Sequence, residues 1–356
     1  MKKFSSAIPE RTMGVDLGDQ RSAWCLLDQS GEVMDAGSVE TTRAGFGKLL
    51  GKLGTSRVVM EVGTHSPWVS RQVTSCGHET IVGNSRKTQA ISANRRKSDR
   101  IDAQMLARLG RADVHLLSPI EHRGETVQAD RAILRSREAL VSVRTALVNS
   151  VRGQVKAFGY RLPSSSPEAF ARKVSGSIPE ELRPALEPLV EQVDALSRQI
   201  ARYDRLVEER WQQYADAYRL RQIKGVGALT ALAFVTSIDD PSRFTSSREV
   251  GAFLGLVPRR SQSGERDPTL GITKTGDATT RRLLAQAAHY VLGPFGPDCA
   301  LRRFGERVVE QGGRAAKRRA VVAVARKLAV LMHALWVGNE DYDPRRGLSA
   351  DSPAAA

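Results

Sequence analysis

Thr12-Met-Gly-Val-Asp-Leu-Gly-Asp-Gln-Arg-Ser-Ala-Trp-Cys-Leu-Leu27 holds two short apolar runs, Thr12 to Leu17 and Ser22 to Leu27, joined by Gly18-Asp19-Gln20-Arg21. Apolar runs on either side of a Gly-Asp turn read as a β-hairpin. Glu32 to Val39, after Ser30-Gly31, supplies a third strand. A helical stretch follows around Gly45 to Leu53, then a buried strand Arg57 to Val62, a helix near Pro67 to Ser75 and a strand Glu79 to Val82. The first part of the chain is therefore α/β, with antiparallel strands first and strand and helix units after them.

That order is the order of an RNase H-like fold, expected here over residues 1–118, and its acidic residues stand in unusual places. Asp16 lies between Val15 and Leu17 in the first strand, and Glu61 repeats the situation in Val58-Val-Met-Glu-Val62. A carboxylate in an apolar strand is costly unless something compensates it, or unless it sits at a solvent-facing edge. In Ser98-Asp-Arg-Ile-Asp-Ala103, Asp99 and Asp102 share one helix face behind Ser98 as N-cap. Their repulsion calls for a cation, although acids also stabilise a helix N-terminus through its dipole. Together the four are hard oxygen ligands suited to Mg²⁺, with Mn²⁺ as the alternative, astride a phosphodiester. Arg86, Lys87, Arg95, Arg96, Lys97 and Arg100 stand around them as candidate backbone-gripping cations.

The texture changes after Pro119. Leu140, Val143, Leu147, Val151, Val155 and Phe158 recur at three- and four-residue steps from about Glu125, predicting a long amphipathic helix. Leu182, Leu186, Leu189, Val193, Leu196, Ile200 and Tyr203 keep heptad spacing, so residues 119–218 are expected to form an antiparallel coiled-coil hairpin that self-associates. Residues 219–342 read as a mainly helical domain, and 343–356 as a flexible tail. Ile223-Lys-Gly-Val-Gly-Ala-Leu-Thr230 resembles the turn of a helix-hairpin-helix motif, where glycines let amides approach a phosphate; a plain helix connection fits it equally. Between Glu310 and Glu340 there is no carboxylate, while Arg314, Lys317, Arg318, Arg319, Arg326 and Lys327 collect opposite Val321, Val322, Val324, Leu328 and Leu331.

Over 356 residues the formal charge is +15 and the isoelectric point about 10.2. Such a balance favours a polyanionic partner, because each phosphate neutralised by lysine or arginine releases a condensed counterion. An aromatic content of 5% argues against a base-stacking platform. The three cysteines, Cys25, Cys76 and Cys299, have neither disulfide nor metal spacing and read as free thiols. With no apolar run of signal-peptide or membrane-spanning length, a cytoplasmic protein without a membrane partner is expected.

Three segments together resemble the DEDD transposases of the insertion-sequence 110 family, the bridge-RNA-guided recombinases. They are Gly14-Val-Asp-Leu-Gly18 with Glu61; Lys97-Ser-Asp-Arg-Ile-Asp-Ala103; and the run from Ile223-Lys-Gly-Val-Gly227 through Phe253-Leu-Gly-Leu-Val-Pro258 to Gly271-Ile-Thr-Lys-Thr-Gly-Asp277 and Arg281-Arg-Leu-Leu284. The resemblance implies a RuvC-type N-terminal domain in which Asp16, Glu61, Asp99 and Asp102 are the metal-binding catalytic tetrad. It also implies a C-terminal domain with a nucleophilic serine in Pro258-Arg-Arg-Ser-Gln-Ser-Gly264, at Ser263 or alternatively at Ser261. Arg259, Arg260 and Lys274 are the candidate cations beside it. Donor and target DNA, a guide RNA and a homo-oligomer, dimer or tetramer, are the implied partners. Two other activities use the same features: a junction-resolving nuclease that activates water with the carboxylates, and a non-catalytic nucleic-acid scaffold. Gly14-Val-Asp-Leu-Gly18 also looks like the first phosphate loop of sugar kinases and actin-like ATPases, but the second Asp-x-Gly loop that fold needs has no convincing counterpart.

Overall fold

The computed structural model describes residues 9–84, 98–262 and 270–345. The chain divides into two compact units, Met1–Arg123 and Gly124–Ala356.

In the first unit, β1 (Thr12–Asp16), β2 (Arg21–Leu27), β3 (Val33–Glu40), β4 (Arg57–Glu61) and β5 (Glu79–Gly83) form one sheet in the order β3-β2-β1-β4-β5. β1 to β3 pair antiparallel, as the hairpin turn requires, while β4 runs parallel to β1 and β5 parallel to β4. Helices supply the parallel crossovers. α1 (Arg43–Leu50) starts earlier than its apolar pattern because Thr42 caps it, its Oγ1 accepting from Gly45 N at 3.0 Å. α2 (Ser66–Ser75) precedes β5, and α3 (Asp99–Ala112) lies on the sheet.

Strand alternation divides the sheet into two faces. Met13, Val15, Val58 and Met60 join Phe46, Leu50, Val69 and Val73 in one core. On the other face Val59 and Ile81 pack with Leu106, Val114 and Leu117, and Cys25 and Leu27 pack with Ala103 and Ala107. Both faces of the central strands β1 and β4 are covered, so these two read as nearly continuous apolar runs, while the edge strand β3 is mostly exposed.

The second unit is helical: α4 (Glu125–Ala157), α5 (Phe170–Val174), α6 (Arg183–Trp211), α7 (Ala228–Ile238), α8 (Glu249–Phe253), α9 (Ala278–Leu292), α10 (Ala300–Glu310) and α11 (Ala316–Gly338). α4 and α6 are antiparallel, as the pairs Arg137–Asp204 and Arg144–Ser197 show. The distal parts of the two helices bury Val148, Val151, Val155, Leu186, Val190 and Val193 around Phe170 and Val174. Their basal ends, through Leu134, Val207 and Trp211, join the core built by α7, α9 and α11. The apolar stripe expected on α4 is offset: Val143 and Phe158 are 50% and 56% exposed, whereas Arg144 is buried against Ser197 and Glu168. Sequence periodicity places Arg144 among the charged background, but its stem is buried and its guanidinium meets Ser197 and the exposed carboxylate of Glu168.

On α11 the core face runs through Ala320, Val324, Leu328, Met332 and Leu335, with Val321, Val322 and Leu331 only partly buried. This helix has the length and hydropathy to cross a membrane, and half of its most apolar window is buried in the protein.

Candidate active site

The N-terminal carboxylates are positioned by one close approach. A Cβ on Gly14 would stand 2.0 Å from the Ala103 carbonyl oxygen and 2.4 Å from the Ala107 amide, so α3 lies directly on the backbone of β1. At its other end, Gly110 of α3 meets Val59 in the same way, and its carbonyl accepts from Arg57 Nη1 at 2.9 Å. Arg57 is 3% exposed and also donates to Glu79 at 2.7 Å. These contacts set the direction of α3, which runs against β1 and β4. Its N-terminus therefore lies at the C-terminal ends of those strands.

Asp16 is the last residue of β1 and Glu61 the last of β4. The parallel register pairs Gly14 with Val59 and Val15 with Met60, so Asp16 and Glu61 follow side by side on adjacent strands. Alternation puts both on the Gly14 and Val59 face, the face covered by α3. Both are partly buried, and each has a polar or electrostatic partner. Ser98 caps α3, its Oγ accepting from Ile101 N at 3.4 Å, and Asp99 and Asp102 occupy the first turn. Asp102, partly buried, directly precedes Ala103 at the Gly14 contact, while Asp99 is exposed.

All four carboxylates thus belong to one end and one face of the sheet. Among the described residues, no three His, Cys, Asp or Glu side chains are gathered closely enough to share an ion. The donor chemistry, hard oxygens from two strand ends and a helix turn, fits a divalent cation. Of the flanking cations, Arg100 is exposed on α3 and lies close enough to Cys25 to act on its thiol. Burial outweighs Arg100 and Arg108 and pushes that thiol above its ordinary pKa. Arg86, Lys87, Arg95, Arg96 and Lys97 lie outside the described residues.

In the second unit, the segment between α8 and α9 forms a two-legged arm. Arg259 N donates to Gly271 O and Thr273 N to Val257 O, both at 2.9 Å, and Pro258 bridges Ile272. Ser261 and Arg260 are exposed beyond these legs, while Ser263 lies outside the described residues. Lys274 is exposed at φ 56, and its amide donates to Gly255 O. Gly276, at φ +71, stands where a Cβ would be 2.1 Å from Phe253 O, so the return leg passes against the end of α8. Arg281 Nη1 fastens that leg by donating to Thr275 O at 2.7 Å and to Leu254 O at 2.9 Å.

The arm ends on Asp277, which caps α9 by accepting from Thr280 N at 2.7 Å. Arg131 of α4 pairs with Asp277 and donates to the buried Ser237 Oγ at 2.9 Å. Ser237 in turn shares a 2.7 Å hydrogen bond with Thr280. Burial by itself would raise the Asp277 pKa, but the Thr280 amide and the Arg131 guanidinium together hold it below the usual carboxylate value. Sequence reading passed over Arg131, because a lone arginine in a charged helix carries no mark of a partner 146 positions away. The Ile223 to Thr230 segment forms a turn with Gly225 at φ +95, leading into α7 with Gly227 as N-cap.

Residues 13–159 match the family model of DEDD-type insertion-sequence 110 transposases, described as "Transposase", and residues 217–299 match that of the "Transposase IS116/IS110/IS902 family". The transposase for insertion sequence element IS1111A of Coxiella burnetii is 30% identical over 351 residues, covering 93% of this chain and 91% of the relative. The transposase for IS1328 of Yersinia enterocolitica is 31% identical over 239 residues, 65% of this chain and 69% of the relative. A pilin gene-inverting protein of Moraxella bovis is 30% identical over 129 residues, 35% of this chain and 38% of that protein.

Proposed function

Because this chain belongs to the insertion-sequence 110 family of DEDD transposases, and is thereby a DNA-recombining enzyme, we propose that it cuts and rejoins donor and target DNA through a serine nucleophile on the C-terminal arm. The observation that carries this reading is the placement of Asp16 and Glu61 at adjacent strand ends, with the Asp99 and Asp102 turn on the same face. Those four residues would hold the divalent ion that this type of domain uses, Mg²⁺ in our reading. When bound, such an ion supplies Lewis-acid activation and neutralises charge at the scissile phosphate.

The chain's own groups do the rest. Ser263 Oγ, with Ser261 as the alternative, attacks phosphorus. One P–O ester bond forms as another breaks, and the departing deoxyribose oxygen takes up the proton that the serine gives up. Reversal of the step by a different DNA end reseals the strand without external energy. Arg259, Arg260 and Lys274 face the phosphorane charge, and Arg86, Lys87, Arg95, Arg96, Lys97 and Arg100 grip the backbone at the carboxylate site. Residues 1–118, 119–218 and 219–342 act as catalytic, assembly and serine-bearing parts, and the tail is 343–356. A guide RNA selects the sequence, the α4 and α6 pair acts as a coiled coil joining subunits, the Ile223–Thr230 turn takes a phosphate, and the enzyme works in the cytoplasm.

Denaturing gels of protein with labelled DNA, guide RNA and Mg²⁺ test the central step. Wild type gives a covalent protein–DNA band and Ser263→Ala none. A band lost in Ser261→Ala instead moves the nucleophile by two residues. Cleavage without any covalent band makes the enzyme a water-activating nuclease.

A further inference from the structure

The base of the arm forms one wall of an open groove of about 1070 Å³, and α11 forms the other. Pro258, Leu270, Gly271 and Ile272 come from the arm, with Leu256 below them and Phe304 and Val322 opposite. Six cations line it: Arg248, Lys274, Arg318, Arg319, Arg326 and Lys327. Among the described residues no carboxylate lines it and none of the six is ion-paired. Structural arginines elsewhere in this unit, such as Arg131, Arg137 and Arg144, each have a carboxylate partner. A run of like charges along one groove repels itself and is relieved by a polyanion.

We propose that this groove is the seat of the DNA strand presented to the arm's serine, gripping that strand by its phosphates and not by its bases. This rests on the serine reading above. The groove exceeds or matches the upper end of small-molecule sites, roughly 300–1,000 Å³, and is open, which suits a polymer. Among the described lining residues the one aromatic ring is Phe304, and the Lys327 ammonium sits over it, 4.3 Å from the ring centroid. The face that the ammonium covers is closed to a stacking base. Partial burial and the nearby Arg307 hold the Lys327 pKa below its ordinary value, and a phosphate beside it reverses that pressure. The occupant is DNA and not RNA because the legs that form this wall, at Pro258 and Leu270 to Lys274, belong to the arm that carries the serine of that reading, whose substrate is DNA.

The test is fluorescence anisotropy on the full chain with labelled single-stranded and duplex DNA of arbitrary sequence, and RNA of the same sequence, across a salt series. Arg318→Gln/Arg326→Gln/Lys327→Gln is expected to weaken DNA binding at least about tenfold near 0.1 M salt. It also lowers the slope of log K against log salt by roughly two to three. The comparison is Arg172→Gln/Arg202→Gln/Arg205→Gln, three exposed cations of α5 and α6, which should leave both quantities nearly unchanged. Equal losses in the two triples, an unchanged slope in the first, or a loss confined to RNA overturns the groove. Thermal melts check folding, and Arg318→Gln/Arg319→Gln, in the exposed first turn of α11, gives the same reading if the triple variant does not fold. The covalent-band assay on the same proteins separates the two proposals. Wild type that forms the band beside a groove triple that binds DNA normally sinks the groove alone. Absence of the band in wild type sinks the serine step, while the anisotropy comparison still decides the groove.

Discussion

Arg131→Met removes a guanidinium whose side chain is only 10% exposed and leaves the Asp277 carboxylate, 18% exposed, without its ionic partner. It also strips the buried Ser237 hydroxyl of a donor at 2.9 Å. Breaking a buried pair from one side costs about 3–5 kcal/mol, because the remaining charge stays desolvated. Asp277 keeps its capping bond to Thr280 N, so the lower part of that range applies, about 3 kcal/mol. For a unit of this size that is roughly 6–12 °C in melting temperature. The pH dependence has a definite sign. The folded-state pKa of Asp277 is lowered, so its contribution is present above the unfolded carboxylate value of about 3.9 and is lost as pH falls through the folded one. In Arg131→Met the Thr280 bonds remain but the guanidinium that helped to lower that pKa is gone, so the pKa rises relative to wild type and the gap between the two proteins is widest near neutrality and narrows into acid. Calorimetry at pH 7 and below pH 3, with Asp277→Asn and the double variant completing a cycle, measures the coupling. A melting shift below about 2 °C at pH 7, or a gap that does not change between the two pH values, refutes the reasoning. Because Asp277 ends the arm, the covalent DNA band should weaken in step with the lost stability.

Asp16→Asn and Asp102→Asn should each abolish recombination with the far-UV circular dichroism spectrum unchanged; recombination at the wild-type rate in either removes the carboxylate site. Gly14→Ala places a Cβ 2.0 Å from the Ala103 carbonyl oxygen and should cost about 3 kcal/mol, the upper end of overpacking, read as a fall in the first unit's unfolding midpoint in urea. Thiol titration of the native protein should label Cys76 alone, since Cys25 and Cys299 are buried and Cys25 is held further in its unreactive thiol form; all three react after denaturation.

The strand and helix order of the first unit was legible in outline, since its apolar runs, the Gly18 to Arg21 turn and the Ser98 cap act within a few positions of themselves, whereas the Thr42 cap that starts α1 early was not read from the sequence. So were the tetrad candidates, because a carboxylate inside an apolar strand is conspicuous without any partner in view. Tertiary structure decided the rest. That α3 points its acidic turn towards Asp16 and Glu61 follows from Gly14 and Gly110 admitting a helix against the sheet, a clearance that no local pattern records. Val143 faces out and Arg144 in because the partners of its two terminal nitrogens, Ser197 and Glu168, come from elsewhere in the chain. The cations of α11 were visible as a charged helix face, but only the folding of the arm beside them makes that face a groove. Local sequence specifies local geometry; close approach, buried pairing and shared walls depend on which distant segments the fold brings together.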